Sequence, residues 1–67
     1  MKDFIHNFME QNGVPVQRTS AQCMDYLQNT LGYSFEVARG VLGLAVARQY
    51  ILVTSVLPVK TYIKTYN

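Results

Sequence analysis

One cysteine, one histidine, no tryptophan and only four acidic side chains leave this 67-residue sequence little from which to build a reactive centre. A lone cysteine, Cys23, can form neither a disulfide framework nor a zinc cluster within the chain, which points to a reducing, intracellular setting. Cys23 has no cationic or histidine neighbour in sequence to hold it as thiolate, so it reads as a packing or surface thiol. His6 reads as a solvated histidine with no ligand set around it. No paired carboxylates share a face and no Ser/His/Asp or Cys/His set is present, so no enzyme, metal or cofactor is expected. Long hydrophobic runs are missing too. The longest, 41–47, is far short of a bilayer span, and no charged segment followed by an apolar stretch opens the chain. A cytoplasmic protein, of a bacterial or phage-infected cell, is the expectation.

No acidic residue follows Glu36. Residues 1–38 hold Lys2 and Arg18 against Asp3, Glu10, Asp25 and Glu36, whereas 39–67 hold Arg39, Arg48, Lys60 and Lys64 with no acid. That asymmetry suits a surface facing a polyanion. Hydrophobic residues make up 49% of the chain and charged residues 15%, which favours one folded domain over residues 1–67 near the lower size limit for a self-sufficient core.

What is present has a clear order. Asp3 suits the N-cap of a first helix whose stripe is Phe4, Ile5, Phe8 and Met9, stopped by Asn12-Gly13. Residues 14–18, with Pro15 unable to donate to a ladder, suit a short edge strand or extended connector. Thr19 and Gln22 have capping-box spacing and start a second helix that runs to Leu31 with Ala21, Met24, Leu27 and Leu31 on its apolar face. At Leu31-Gly32-Tyr33-Ser34 a sharp turn is expected, Gly32 supplying a left-handed residue and Ser34 capping the next helix.

The third helix, 34–49, has an apolar arc of Phe35, Val37, Ala38, Val41, Leu42, Ala45 and Val46. Its opposite arc, Glu36, Arg39, Gly40, Gly43 and Ala47, is nearly bare. Two glycines inside a helix each cost about 1 kcal/mol relative to alanine, so a close approach to this backbone is expected, by nucleic acid, by a partner helix or by another part of the fold. Residues 50–66 are β-branched and aromatic on both sides of Pro58 and read as a hairpin. In its second strand Lys60, Tyr62, Lys64 and Tyr66 share one face. Lys60 and Lys64 also suit the guarding of an edge strand against aggregation.

Three helices plus a C-terminal β-hairpin make an α+β chain whose element order resembles a winged helix-turn-helix domain. The turn around Gly32, with Leu27 before it and Ala38 and Val41 after it, is similar to the helix-turn-helix spacing of many DNA-binding proteins. Those usually have a small residue four before the glycine; here Gln28 stands there. The resemblance implies that helix 34–49 enters the major groove of double-stranded DNA and that hairpin 50–66 acts as the wing. Carried over, it implies base reading by Ser34, Glu36 and Arg39 with Gly40 and Gly43 allowing close approach. Arg18, with the backbone of Thr19 and Ser20, is implied at one phosphate. Lys60, Lys64 and Arg48 would supply nonspecific attraction, and Tyr62 and Tyr66 would pack on sugars. The function so implied is a transcription regulator or recombination accessory factor, working as a dimer or cooperatively. Size and style resemble the small proteins of bacteriophages and mobile elements. The competing reading is a protein-binding module that docks on and modulates a host protein, favoured by low charge, many tyrosines and the apolar tip Leu57-Pro58-Val59.

Overall fold

The first helix is set by its inward stripe. In the computed structural model, which describes Lys2–Thr65, α1 (Lys2–Phe8) buries Phe4 and Ile5 and holds Phe8 half-buried, with Met9 buried just beyond its end. Asp3 is not its cap but lies within the first turn, where a carboxylate still complements the helix dipole. Nor does Asn12-Gly13 stop the helix, which has already ended at Phe8. Those two residues, with φ of 53° and 78°, form the two-residue turn between β1 (Glu10–Gln11) and β2 (Val14–Pro15). Asn-Gly is the dipeptide such a turn favours, because both central residues need positive φ.

Residues 16–17 lead to β3 (Arg18–Thr19), and α2 (Ser20–Asp25) follows at once. The expected capping box is present. Thr19 Oγ1 accepts from the Gln22 N–H at 3.1 Å, while Gln22 Oε1 accepts from the Thr19 N–H at 2.9 Å. After Asp25 the helix widens into a π-helical turn, Tyr26–Thr30, in which the Leu31 N–H reaches back five residues to Tyr26 O at 3.2 Å. The extra residue in this turn resets the inward stripe. Cys23 and Leu27 are fully buried and Met24 is half-buried, whereas Ala21 and Leu31, expected inside, are exposed. It also answers how a long side chain fits at Gln28: Leu27 fills the core and Gln28 stays half-buried beside it.

Gly32, at φ +76°, then lets the Tyr33 N–H close on Leu27 O at 3.0 Å, and Ser34 Oγ caps α3 (Phe35–Ala47) by accepting from the Val37 N–H at 3.2 Å. Gly32→Ala is expected to cost about 1–2 kcal/mol, because a Cβ disfavours the left-handed conformation even though open space surrounds this one. A urea unfolding midpoint equal to that of the natural chain would refute the assignment.

At the far end of α3, Gln49 takes the left-handed place usually given to glycine, at φ +61°. The Gln49 and Tyr50 N–H groups return to Val46 O and Ala45 O, both at 2.9 Å, and the chain turns into β4 (Ile51–Ser55). Strand β5 (Thr61–Lys64) pairs antiparallel with β4 on one side and with β3 on the other, giving the order β3-β5-β4. Among the described residues the fold is thus α+β with three helices and two small antiparallel sheets. Its strands are not confined to a C-terminal hairpin, since the connector 14–18 contributes to both sheets.

Helices and the three-stranded sheet close over one core: Phe4, Ile5 and Met9 from the α1 region, Cys23 and Leu27 from the second helix, Ala38, Leu42 and Ala45 from α3, and Ile51 and Tyr62 from the sheet. Beside it Phe8 stacks on Tyr26 with ring centroids 4.5 Å apart. Each core element is too short to be stable alone, so this shared burial supplies most of the fold's stability.

Candidate nucleic-acid interface

The side of α3 turned away from the core is as bare as its sequence suggests. Glu36, Arg39, Gly40, Gly43 and Ala47 are all exposed, joined by Val37 and Leu44. Phe35 and Val37, expected on the buried arc, are 56% and 52% exposed, because the buried stripe is the narrower set Ala38, Leu42 and Ala45 flanked by Val41 and Val46. A Cβ built on Gly40 or Gly43 would meet nothing within 4 Å. No other described part of the fold therefore requires those glycines, which removes one of the three explanations for them.

Along one flank of this arc runs a groove of about 400 Å³. The second helix contributes Ser20 and Met24, α3 contributes Phe35, Arg39, Leu42 and Gly43, and Lys60, just before β5, joins Tyr62 of that strand. The Ser20 N–H donates to Lys60 O at 2.8 Å, which fastens the helix start to the strand. Four residues expected to touch DNA, Ser20, Arg39, Gly43 and Lys60, thus meet in one place. Phe35 and Met24 join them without having been expected there, since apolar spacing alone marks both as core. Arg39 and Lys60 are exposed and form no ion pair with any described residue; the Lys60 ammonium lies 5.8 Å from the Tyr62 ring centroid.

Other residues of the expected site are employed elsewhere. Arg18 is half-buried: its Nε donates to Phe8 O at 3.0 Å and its guanidinium lies 4.7 Å from the Phe8 ring centroid, which ties it to α1. The backbone N–H groups of Thr19 and Ser20 are both taken, by Gln22 Oε1 and Lys60 O, and are not open to an anion. Ser34 is exposed, with its hydroxyl engaged as the cap of α3. Arg48 is exposed at the other end of the helix.

Lys64 is the clearest correction. It is only 3% exposed, and its ammonium pairs with the carboxylate of Glu10. Tyr62 is 4% exposed, so the face of β5 read as a basic and aromatic surface points inward. β5 is also the central strand of its sheet, which leaves its lysines no edge to guard. Tyr66, the remaining expected sugar contact, lies outside the described residues.

Cys23 and His6 do not line the groove. The Cys23 thiol is fully buried, 3.8 Å from Met9 Sδ, and burial pushes its pKa up to about 12 against a weak opposing pull from Arg18. It is a thiol and not a nucleophile at neutral pH. His6 Nδ1 lies 3.5 Å from Glu10 Oε1, a surface pairing one helical turn away. Among the described residues no three His, Cys, Asp or Glu side chains are grouped to hold a metal ion, and no helix is long and apolar enough to cross a membrane. No protein-family model, curated protein or solved structure matches the chain.

Proposed function

We propose that this chain is a small winged-helix DNA-binding protein, a transcription regulator or recombination accessory factor, that lays the exposed arc of α3 into the major groove of double-stranded DNA with hairpin β4–β5 as its wing. One observation carries the reading: Arg39 of α3 and Lys60, just before β5, border the same groove without ionic partners among the described residues, so helix and hairpin offer cations to one surface. Arg39 suits bidentate contact with guanine O6 and N7, and Glu36 suits acceptance from cytosine N4. Gly40 and Gly43 let the duplex approach the helix backbone. Lys60 and Arg48 supply the attraction to phosphate that positions the module. So few contacts favour action as a homodimer or in a cooperative array.

Fluorescence anisotropy of a labelled random duplex, titrated at several salt concentrations, tests this. With Arg39, Arg48 and Lys60 as the cations available, affinity is expected to fall with a log–log slope of about −2 to −3. Folded protein that leaves the duplex unbound at low salt would defeat the proposal.

The second reading, a module that docks on a host protein, draws on a different place. Val56, Leu57 and Val59 at the hairpin tip are 65%, 81% and 54% exposed, an apolar end better matched to protein than to a phosphate backbone. It becomes the leading reading if duplex binding fails.

A further inference from the structure

We infer that the groove between the second helix, α3 and the start of β5 is a binding site for a small aromatic carboxylate, and this stands whether or not the chain binds DNA. At about 400 Å³ the groove is within the size range of small-molecule sites. Its walls are mainly apolar: Met24 and Leu42 lie on the core side and Phe35, more than half exposed, forms an open aromatic wall. A flat ring seated there covers apolar surface that the fold itself leaves in water, and it meets Phe35 in the offset or edge-on arrangements aromatic pairs prefer.

Charge decides what the ring must carry. The two ionic side chains lining the groove, Arg39 and Lys60, are both cationic, come from different elements, and lack an acidic partner among the described residues. The guanidinium matches a carboxylate through two parallel hydrogen bonds, and the ammonium adds a point charge beside it. Gly43 leaves the wall below Arg39 without a side chain, since a Cβ there would meet nothing within 4 Å. A neutral ring would gain the apolar contact but leave both cations unanswered, and an aliphatic acid would gain the reverse.

The test is an amide ¹H–¹⁵N titration of the full chain with 2-naphthoate and, in parallel, with the neutral 2-naphthalenemethanol. The expected result is saturable shifts centred on Ser20, Phe35, Arg39, Gly43 and Lys60, with the acid bound about tenfold to a hundredfold more tightly than the alcohol. Arg39→Gln with Lys60→Gln, both at exposed positions, is expected to erase that preference while leaving the rest of the spectrum in place. Equal affinity for acid and alcohol, shifts centred on the hairpin tip at Val56–Val59, or a preference that survives in the double variant would each overturn the assignment.

Discussion

A chain carrying Gly40→Ala and Gly43→Ala together is expected to be more stable than the natural one by about 2 kcal/mol, because each glycine in a helix interior costs about 1 kcal/mol relative to alanine. Nothing opposes the gain, since both added methyl groups enter open space. For a domain of this size that corresponds to a rise of about 8–15 °C in the thermal midpoint. The same variant is expected to bind duplex DNA about tenfold more weakly or worse, because methyl groups forced into a close-fitting contact act as overpacking does in a core. Calorimetry and anisotropy on one preparation give both numbers. Stability that rises while affinity is unchanged would mean that DNA does not approach this arc. Stability that fails to rise would mean that the helix does not run unbroken through both glycines.

Glu10→Gln is expected to damage the fold more than Lys64→Met, although both break the same ion pair. The Lys64 side chain is fully shielded from water, whereas that of Glu10 keeps a quarter of its surface exposed. Removing the carboxylate takes the Glu10 charge away from a buried ammonium, which is the costly way to break such a pair; methionine removes the buried charge and keeps most of the stem. Lys64→Met is therefore expected to cost no more than about 1.5 kcal/mol, with Glu10→Gln unfolding at lower urea.

Acidity gives a second readout of the same pair. The hydrogen bond from Lys64 holds the Glu10 carboxyl below its ordinary 4.5, with a smaller pull from His6, against the opposing effect of desolvation. Below pH 4.5 the unfolded chain takes up a proton at Glu10 that the folded chain resists. The pair's contribution is therefore complete above that value and disappears as pH falls through the lowered folded pKa. Urea melts between pH 7 and pH 3 should show a shallower acid decline in Lys64→Met than in the natural chain. Parallel declines, or equal midpoints for the two variants at pH 7, would refute this account.

Some of this was legible from residue order because it depends on near neighbours. Thr19 and Gln22 form a capping box across one helical turn, Ser34 caps the helix it precedes, and the β-branched stretch around Pro58 folds back on itself. The losses occur where distant residues decide. Arg18–Thr19 becomes a strand only because β5 lies beside it, and two residues carry no alternation to announce that. Alternation shows that Lys60, Tyr62 and Lys64 share a face but not which way the face looks, and that is settled by the core around Tyr62 and by Glu10 of β1 at Lys64. The π-helical turn at Tyr26–Thr30 shifts the stripe by one residue, which a fixed helical period cannot register. Phe35 falls outside the narrow buried stripe Ala38, Leu42 and Ala45 of α3, so apolar spacing alone places it in the core and hides the apolar wall of the groove.

The pairing of β5 with β3 also governs when this protein can exist as a folded object. Arg18 faces Tyr62 and Thr19 faces Thr61 across the ladder, and Glu10 finds a buried counter-charge at Lys64. Without Thr61–Lys64 the chain has an open sheet, a Glu10 carboxylate lacking its buried ammonium and a core without Tyr62. Sheet, ion pair and core are therefore expected to form together, in one cooperative step, once Thr61–Lys64 is in place.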